Sequence, residues 1–255
     1  MIRFLIPAIL AGMLASAPTA HATAIPGPTE AVTCVFNPVS GGATIQHGTT
    51  DCSVGGSTAT IATAPNVSLF ATGGEGPNSN SSMGSASLAY FFEVLGGTQF
   101  EQIPILITTD LSAGFTGNGG AGASITITPQ PLAPTFDVVG KTVCANVDAI
   151  SCPSSEGASF DGTLNGTALE GVAGQVELFA SGGGGGTNGG SGTATADPLI
   201  QIDPTFLLNH PGLTLDFSPG VVNGLPSAVP EPSAFVLLAT ALAGLAGLRR
   251  RRRRS

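Results

Sequence analysis

Cys34, Cys52, Cys144 and Cys152 are the residues whose chemistry this sequence constrains most. An even number of cysteines in an exported chain pairs into disulfides. Three pairings are possible, and Cys34–Cys52 with Cys144–Cys152 is favoured because each joins sequence neighbours. In the chain-entropy picture each such loop contributes on the order of 3 kcal/mol. A zinc site would want a Cys-x-x-Cys spacing, which is absent. His47 and His210 lie in polar segments next to Gly or Pro and read as surface loops. No Gly-x-Ser-x-Gly turn accompanies them, so a Ser-His-Asp hydrolase has no identifiable nucleophile. Glu93 with Glu101, or Glu170 with Glu177, could supply the two carboxylates of a glycosidase. Their spacing fixes no distance, and solvation of a strand face explains them equally well. Asp161 and Asn165 offer oxygen ligands to calcium without the Asp-x-Asp-x-Asp-Gly order of an EF-hand loop. Asn66, Asn80 and Asn165 each begin an Asn-x-Ser/Thr triplet, the acceptor pattern for N-glycosylation. These residues predict a non-catalytic protein with no cofactor and no metal site.

The elements that would position these residues are strands. Segments 57–62, 66–71, 86–95, 103–109 and 124–128 are rich in Thr, Val, Ile and Phe and are punctuated by Gly, Pro and Asn. Segments 124–128 and 199–203 alternate apolar and polar residues with period two. No segment between the termini sustains a 3.6-residue apolar repeat. The expected fold class is all-β, with a β-sandwich-like body.

That body also matches itself. The run Val67-Ser-Leu69-Phe70-Ala71-Thr-Gly73 recurs as Val176-Glu-Leu178-Phe179-Ala180-Ser-Gly182. Gly84-Ser-Ala-Ser-Leu-Ala resembles Gly192-Thr-Ala-Thr-Ala-Asp, and Asp110-Leu-Ser112-Ala-Gly114 resembles Asp216-Phe-Ser218-Pro-Gly220. The order is kept, which suggests a degenerate two-fold repeat over about 31–117 and 141–222. The glycine-rich stretches 73–87 and 181–192 fall at matching places and are expected to be long loops.

Charge separates the body from its ends. The chain carries 37 Gly, 19 Pro and only 9% charged residues, and its eight basic residues are Arg3, Lys141 and Arg249 to Arg254. Between residues 23 and 229 there are 15 acidic groups against Lys141 alone, a net charge of about −14. Such a polyanion repels nucleic acid and anionic membrane surfaces.

The N-terminus has Arg3, an apolar run over 4–14 and the small-residue site Ala20-His21-Ala22, the three parts of a secretory signal peptide. Sec-type export and cleavage by signal peptidase after Ala22 are expected, leaving a body over 23–228; cleavage after Ala24 is the alternative. The segment 229–255 contains Val229-Pro230-Glu231-Pro232, an uncharged span over 233–248, and Arg249, Arg250, Arg251, Arg252, Arg253 and Arg254. As a single hydrophobic helix the span would extend about 24 Å, a marginal crossing of a hydrocarbon core of about 30 Å. The Arg block would stay cytoplasmic, with the body on the outer side.

A Pro-Glu-Pro triplet, one apolar span and an Arg-rich end, in that order at a C-terminus, resemble the PEP-CTERM sorting signal of exosortase substrates. The resemblance implies transient single-pass anchoring in the inner membrane and cleavage near Val229, Pro230, Glu231 and Pro232 by an exosortase-type membrane protease. Release to the cell surface or matrix would follow. It also implies an association with exopolysaccharide and biofilm. Three functions are consistent with the whole: a non-catalytic envelope or matrix protein, a carbohydrate-binding or adhesive module, and a secreted hydrolase. The second wants an aromatic platform, for which the sequence offers Tyr90 and scattered Phe.

Overall fold

The computed structural model describes residues 24–38, 41–74, 80–129, 139–146, 158–185 and 189–223. The signal segment with Ala20 and Ala22, Cys152, the Pro-Glu-Pro segment, the apolar span and the Arg block lie outside the described residues. Among the described residues the chain forms thirteen strands and one single-turn helix. The strands are β1 (Thr29–Asn37), β2 (Thr44–Gly48), β3 (Asp51–Val54), β4 (Ser57–Ala62), β5 (Ser68–Gly73), β6 (Ser81–Leu95) and β7 (Gln102–Gly117). They continue as β8 (Gly120–Pro129), β9 (Val139–Asn146), β10 (Ser159–Leu169), β11 (Gly174–Gly184), β12 (Gly190–Ile202) and β13 (Thr214–Phe217), with α1 (Pro204–Leu207) between the last two.

Period-two alternation places one side of each long strand in a shared core. In β7, Ile103, Ile105, Ile107 and Leu111 are buried, while Thr108, Asp110 and Ser112 point away. In β8 the inward set is Ala121, Ala123, Ile125 and Ile127. The first sheet runs β2-β1-β6-β11-β8-β9, with β13 also pairing β6; the second runs β10-β7-β12-β5-β4-β3. Tyr90, Phe92, Leu69, Leu88 and Ile103 are among the largest side chains closed between them. Each full burial of this kind contributes about 1.5–3 kcal/mol. The Cys34–Cys52 disulfide joins β1 of the first sheet to β3 of the second, with Cα atoms 5.9 Å apart. It staples the two sheets across the core. Cys144, on β9, is also disulfide-bonded.

The glycine-rich stretches are not loops over most of their length. Residues 81–87 are the start of β6, 181–184 the end of β11, and 190–192 the start of β12. Composition suggested flexibility, but these glycines sit where the two sheets meet backbone to backbone. A Cβ on Gly73 would overlap the carbonyls of Ser82 and Gly182, and one on Gly84 those of Thr58 and Thr72. Gly182 is closed by Gly192 and Ala71, and Gly192 by Gly120 and Gly183. No side chain fits between sheets that close.

The matched segments exchange sheets. β5 lies in the second sheet and its counterpart β11 in the first; β6 lies in the first and its counterpart β12 in the second. β6 therefore pairs with β11, and β12 with β5. The registers are equivalent: Gly84 faces Gly182 and Leu88 faces Leu178 in one pair, while Gly192 faces Gly73 and Ala196 faces Leu69 in the other. The third match keeps its neighbours, β7 beside β12 and β13 beside β6, but not its register. Asp110 faces Asp197, whereas Asp216 faces Glu93, four residues beyond the equivalent Ala89.

This packing predicts opposite outcomes for two glycine substitutions. Gly182→Ala forces backbone apart and should lower stability by about 1–3 kcal/mol or more. Gly114→Ala adds a methyl with nothing within 4 Å, and should be neutral or stabilising by up to about 1 kcal/mol. Urea midpoints of the two variants check this; equal effects would refute the closed-sheet account.

Candidate functional site

Titratable groups gather at the end of the sandwich opposite the glycine closure. There β6 turns through residues 96–101 into β7, the turn after β10 leads into β11, and α1 with residues 208–213 leads into β13. Gly96 has φ +97, and a Cβ there would strike the Gly212 carbonyl, so this tight turn needs glycine. The backbone N–H of Phe100 donates to the Glu170 carbonyl at 3.2 Å, and Glu170 N–H donates to the Glu101 carbonyl at 3.0 Å. These bonds tie the first two loops together.

Glu101 joins them to the third. Its Oε1 lies 3.5 Å from His210 Nε2, and its Oε2 accepts from Thr98 N–H at 3.1 Å. The His210 ring stacks on Phe206 with centroids 4.1 Å apart and planes 9° apart. His210 Nδ1 is 3.1 Å from the Phe206 carbonyl oxygen. Asp203 fixes that helix turn by accepting from the backbone N–H groups of Thr205 and Phe206 at 2.7 and 3.4 Å. His210 Nε2 thus faces the Glu101 carboxylate and Nδ1 the Phe206 carbonyl oxygen, so the ring ties the turn after α1 to the loop after β6.

Glu93 is 4% exposed and lies opposite Asp216 in the β6–β13 pair. Burial raises its pKa above the usual carboxylate range, and the neighbouring charges of Asp216 and Glu170 raise it further. The structure therefore brings Glu93, Glu101 and Glu170 to one end and separates Glu177 from them. Glu177 stands on the outer face of β11, accepting from Gln175 Nε2 at 2.9 Å. Asp216 and Phe206 complete this end; the sequence marks Asp216 only as the repeat counterpart of Asp110, and Phe206 by no motif.

Other candidates lie apart. His47 is in strand β2, not in a loop, exposed and 3.1 Å from Thr33 Oγ1. The Gly beside it ends a strand instead of starting a loop. Asp161 and Asn165 share the outer face of β10 four residues apart, about 13 Å along a strand. They do not converge on one ion. Asp161 instead faces Asp110, which faces Asp197, a row of three carboxylates on adjacent strands. Burial and the Asp110 charge raise the pKa of Asp197. Among the described residues no group of three or more His, Cys, Asp or Glu side chains is arranged to hold a metal ion. Lys141, the sole cation of the body, lies 5.5 Å from the Phe160 ring centroid. Of the acceptor asparagines, Asn66 and Asn165 are exposed and Asn80 is buried.

The aromatic residues are placed differently from the sequence expectation. Tyr90 is fully buried, with its pKa raised by burial, and offers no platform. Phe70 and Phe179 do: they are 36% and 43% exposed, at equivalent places in the repeat and on the outer faces of opposite sheets. Thr60 and Thr195 flank Phe70 on the neighbouring strands, and Ser87 and Ser124 flank Phe179. Each ring is a flat apolar surface bordered by hydroxyls. At the glycine end an open groove is lined by Met83, Gly122, Cys144, Ser181 and Gly183.

The C-terminal residues 228–253 match the family model of the PEP-CTERM protein-sorting motif. No curated protein and no solved structure matches the chain.

The buried carboxyl of Glu93 sets a pH dependence. With a folded pKa above the unfolded one, the native state binds more protons between the two values, so stability falls as pH rises through that window. Glu93→Gln should reduce the slope, leaving the part contributed by Asp197, and raise stability at neutral pH by on the order of 1 kcal/mol, the scale of a poorly solvated polar group. Denaturation midpoints across pH check it, and an unchanged slope in the variant would overturn the assignment.

Proposed function

We propose that this protein is a non-catalytic component of the cell envelope or extracellular matrix, acting with exopolysaccharide in biofilm. The sorting motif at 228–253 makes it an exported substrate of an exosortase, held at the membrane by its C-terminus before processing. That motif is the observation that carries the reading. The body supports it in three ways. Its disulfide staple suits an oxidising compartment. Its charge of about −14 disfavours nucleic acid and self-association. His210 and Glu101 tie loops together.

A carbohydrate-binding role is the second reading, favoured by Phe70 and Phe179. An aromatic ring bordered by hydroxyls complements a sugar, which offers an apolar C–H face and a rim of hydroxyls. Two such surfaces on opposite sheets would let one molecule bridge two polysaccharide chains, with the gain that bivalency brings.

Expression with and without a cognate exosortase, followed by mass determination of the mature product, tests the first reading. Cleavage near Pro230, Glu231 and Pro232 is expected, and a surface-located product retaining the Arg block would refute it. The second reading predicts that Phe70→Ala and Phe179→Ala each weaken binding to native polysaccharide about tenfold, a loss of about 1.4 kcal/mol, and that the double variant no longer cross-links it. Undiminished cross-linking by the double variant would end that reading.

A further inference from the structure

The course of the strands fixes which end of the body the sorting segment leaves. Val222 N–H donates to the Thr63 carbonyl at 2.7 Å, in the turn between β4 and β5, and Asn223 Nδ2 donates to the Ile200 carbonyl at 3.1 Å. The Pro26 carbonyl accepts from Ser218 Oγ at 2.6 Å, which brings the beginning of the body to the same place. This is the end that carries the loops 96–101, 170–173 and 203–213. Nine residues separate Asn223 from Ser233 at the start of the apolar span, and even fully extended they reach at most about 35 Å. While the tag is anchored, that end stays within about 35 Å of the start of the apolar span.

The same end exposes apolar side chains with no packing role. Leu208, just after α1, is 82% exposed, and Phe100, at the tip of the loop after β6, is 61% exposed. Phe100 also holds φ +63, a left-handed conformation unfavourable for a bulky side chain. A ring projected into solvent at the expense of backbone strain points to a contact made outside the body. The nearby carboxylates decide which kind. Glu101, Glu170, Asp203 and Asp216 all carry carboxylates at this end, hydrogen-bonded or not, so it repels an anionic surface. The tether holds the end at high effective concentration near lipid, where a shallow apolar contact suffices.

We infer that Phe100 and Leu208 form a membrane-facing docking surface, by which the anchored body rests on the interface of a zwitterionic bilayer before the tag is cut. The inference rests on the sorting reading, which supplies the anchor.

The chain contains no Trp, so single-tryptophan reporters are unambiguous. Full-length protein carrying Phe100→Trp, Leu208→Trp or Phe115→Trp would be reconstituted in phosphatidylcholine vesicles with brominated acyl chains. Phe115 is an exposed control near the glycine end. The first two reporters should lose emission to the brominated lipid and the third should retain it. Partial replacement by phosphatidylglycerol should weaken the quenching at low salt. Phe100→Gly, which relieves the positive φ, should keep or raise the unfolding midpoint while reducing quenching of a Leu208→Trp reporter. Equal quenching of all three reporters, quenching of Phe115→Trp alone, or stronger quenching with phosphatidylglycerol would overturn the docking surface. Failure of the full chain to float with vesicles would instead remove the anchor, and the docking surface with it.

Discussion

Everything in this sandwich depends on one close approach, where four glycines let two sheets touch without side chains between them. Sheets packed face to face ordinarily stand about 10 Å apart because side chains fill the gap. At Gly73, Gly84, Gly182 and Gly192 that filling is absent, and a single methyl on any of them meets backbone. Toward the other end large side chains, among them Tyr90, Phe92 and Ile105, fill the interior between the sheets. At that end the loops gather, and Glu101, His210 and Phe206 interlock.

Much of this was legible in the sequence. The alternation in 124–128 gave the correct faces of β8, because a half-buried strand writes its burial into every second residue. The bounds of β4 coincide with the expected segment 57–62 for the same reason. The glycine-rich stretches read as loops in the sequence because glycine is enriched both where a chain must be flexible and where it must be bare. Only the facing strand distinguishes the two. His47 was misplaced by its neighbouring Gly48, which ends β2 and whose Cβ would meet the Asp51 carbonyl. The exchange of repeat halves between sheets leaves no local trace at all, since pairing partners lie some hundred residues apart.

The site residues were less legible than the fold. Glu93 and Glu101 could be named, but their surroundings come from Asp216 on β13, Glu170 after β10 and His210 after α1, which are distant in sequence. Phe70 and Phe179 were visible as matching letters in the repeat; that both face outward follows from strand parity once the register is known. Phe100 could not be singled out, because backbone strain at one residue is a property of the turn that holds it. The sparse charge also acquires a geometry: Asp161, Asp110 and Asp197 stand side by side across three strands, so some of the negative charge opposes the fold it decorates.

The exchange of halves between sheets has a consequence for the order in which the chain can fold. β5 and β6, complete before residue 96, lie in different sheets, and the central partners they need, β11 and β12, are not synthesised until residues 174 to 202. The first half alone would lack the strands that pair with β5, β6, β7 and β8 in the two sheets. Contacts of such long sequence separation form slowly, and a nascent chain of this kind has no stable half-structure to adopt. A protein that must leave the cytoplasm before it does its work is thereby kept, by its own topology, from finishing its fold too soon.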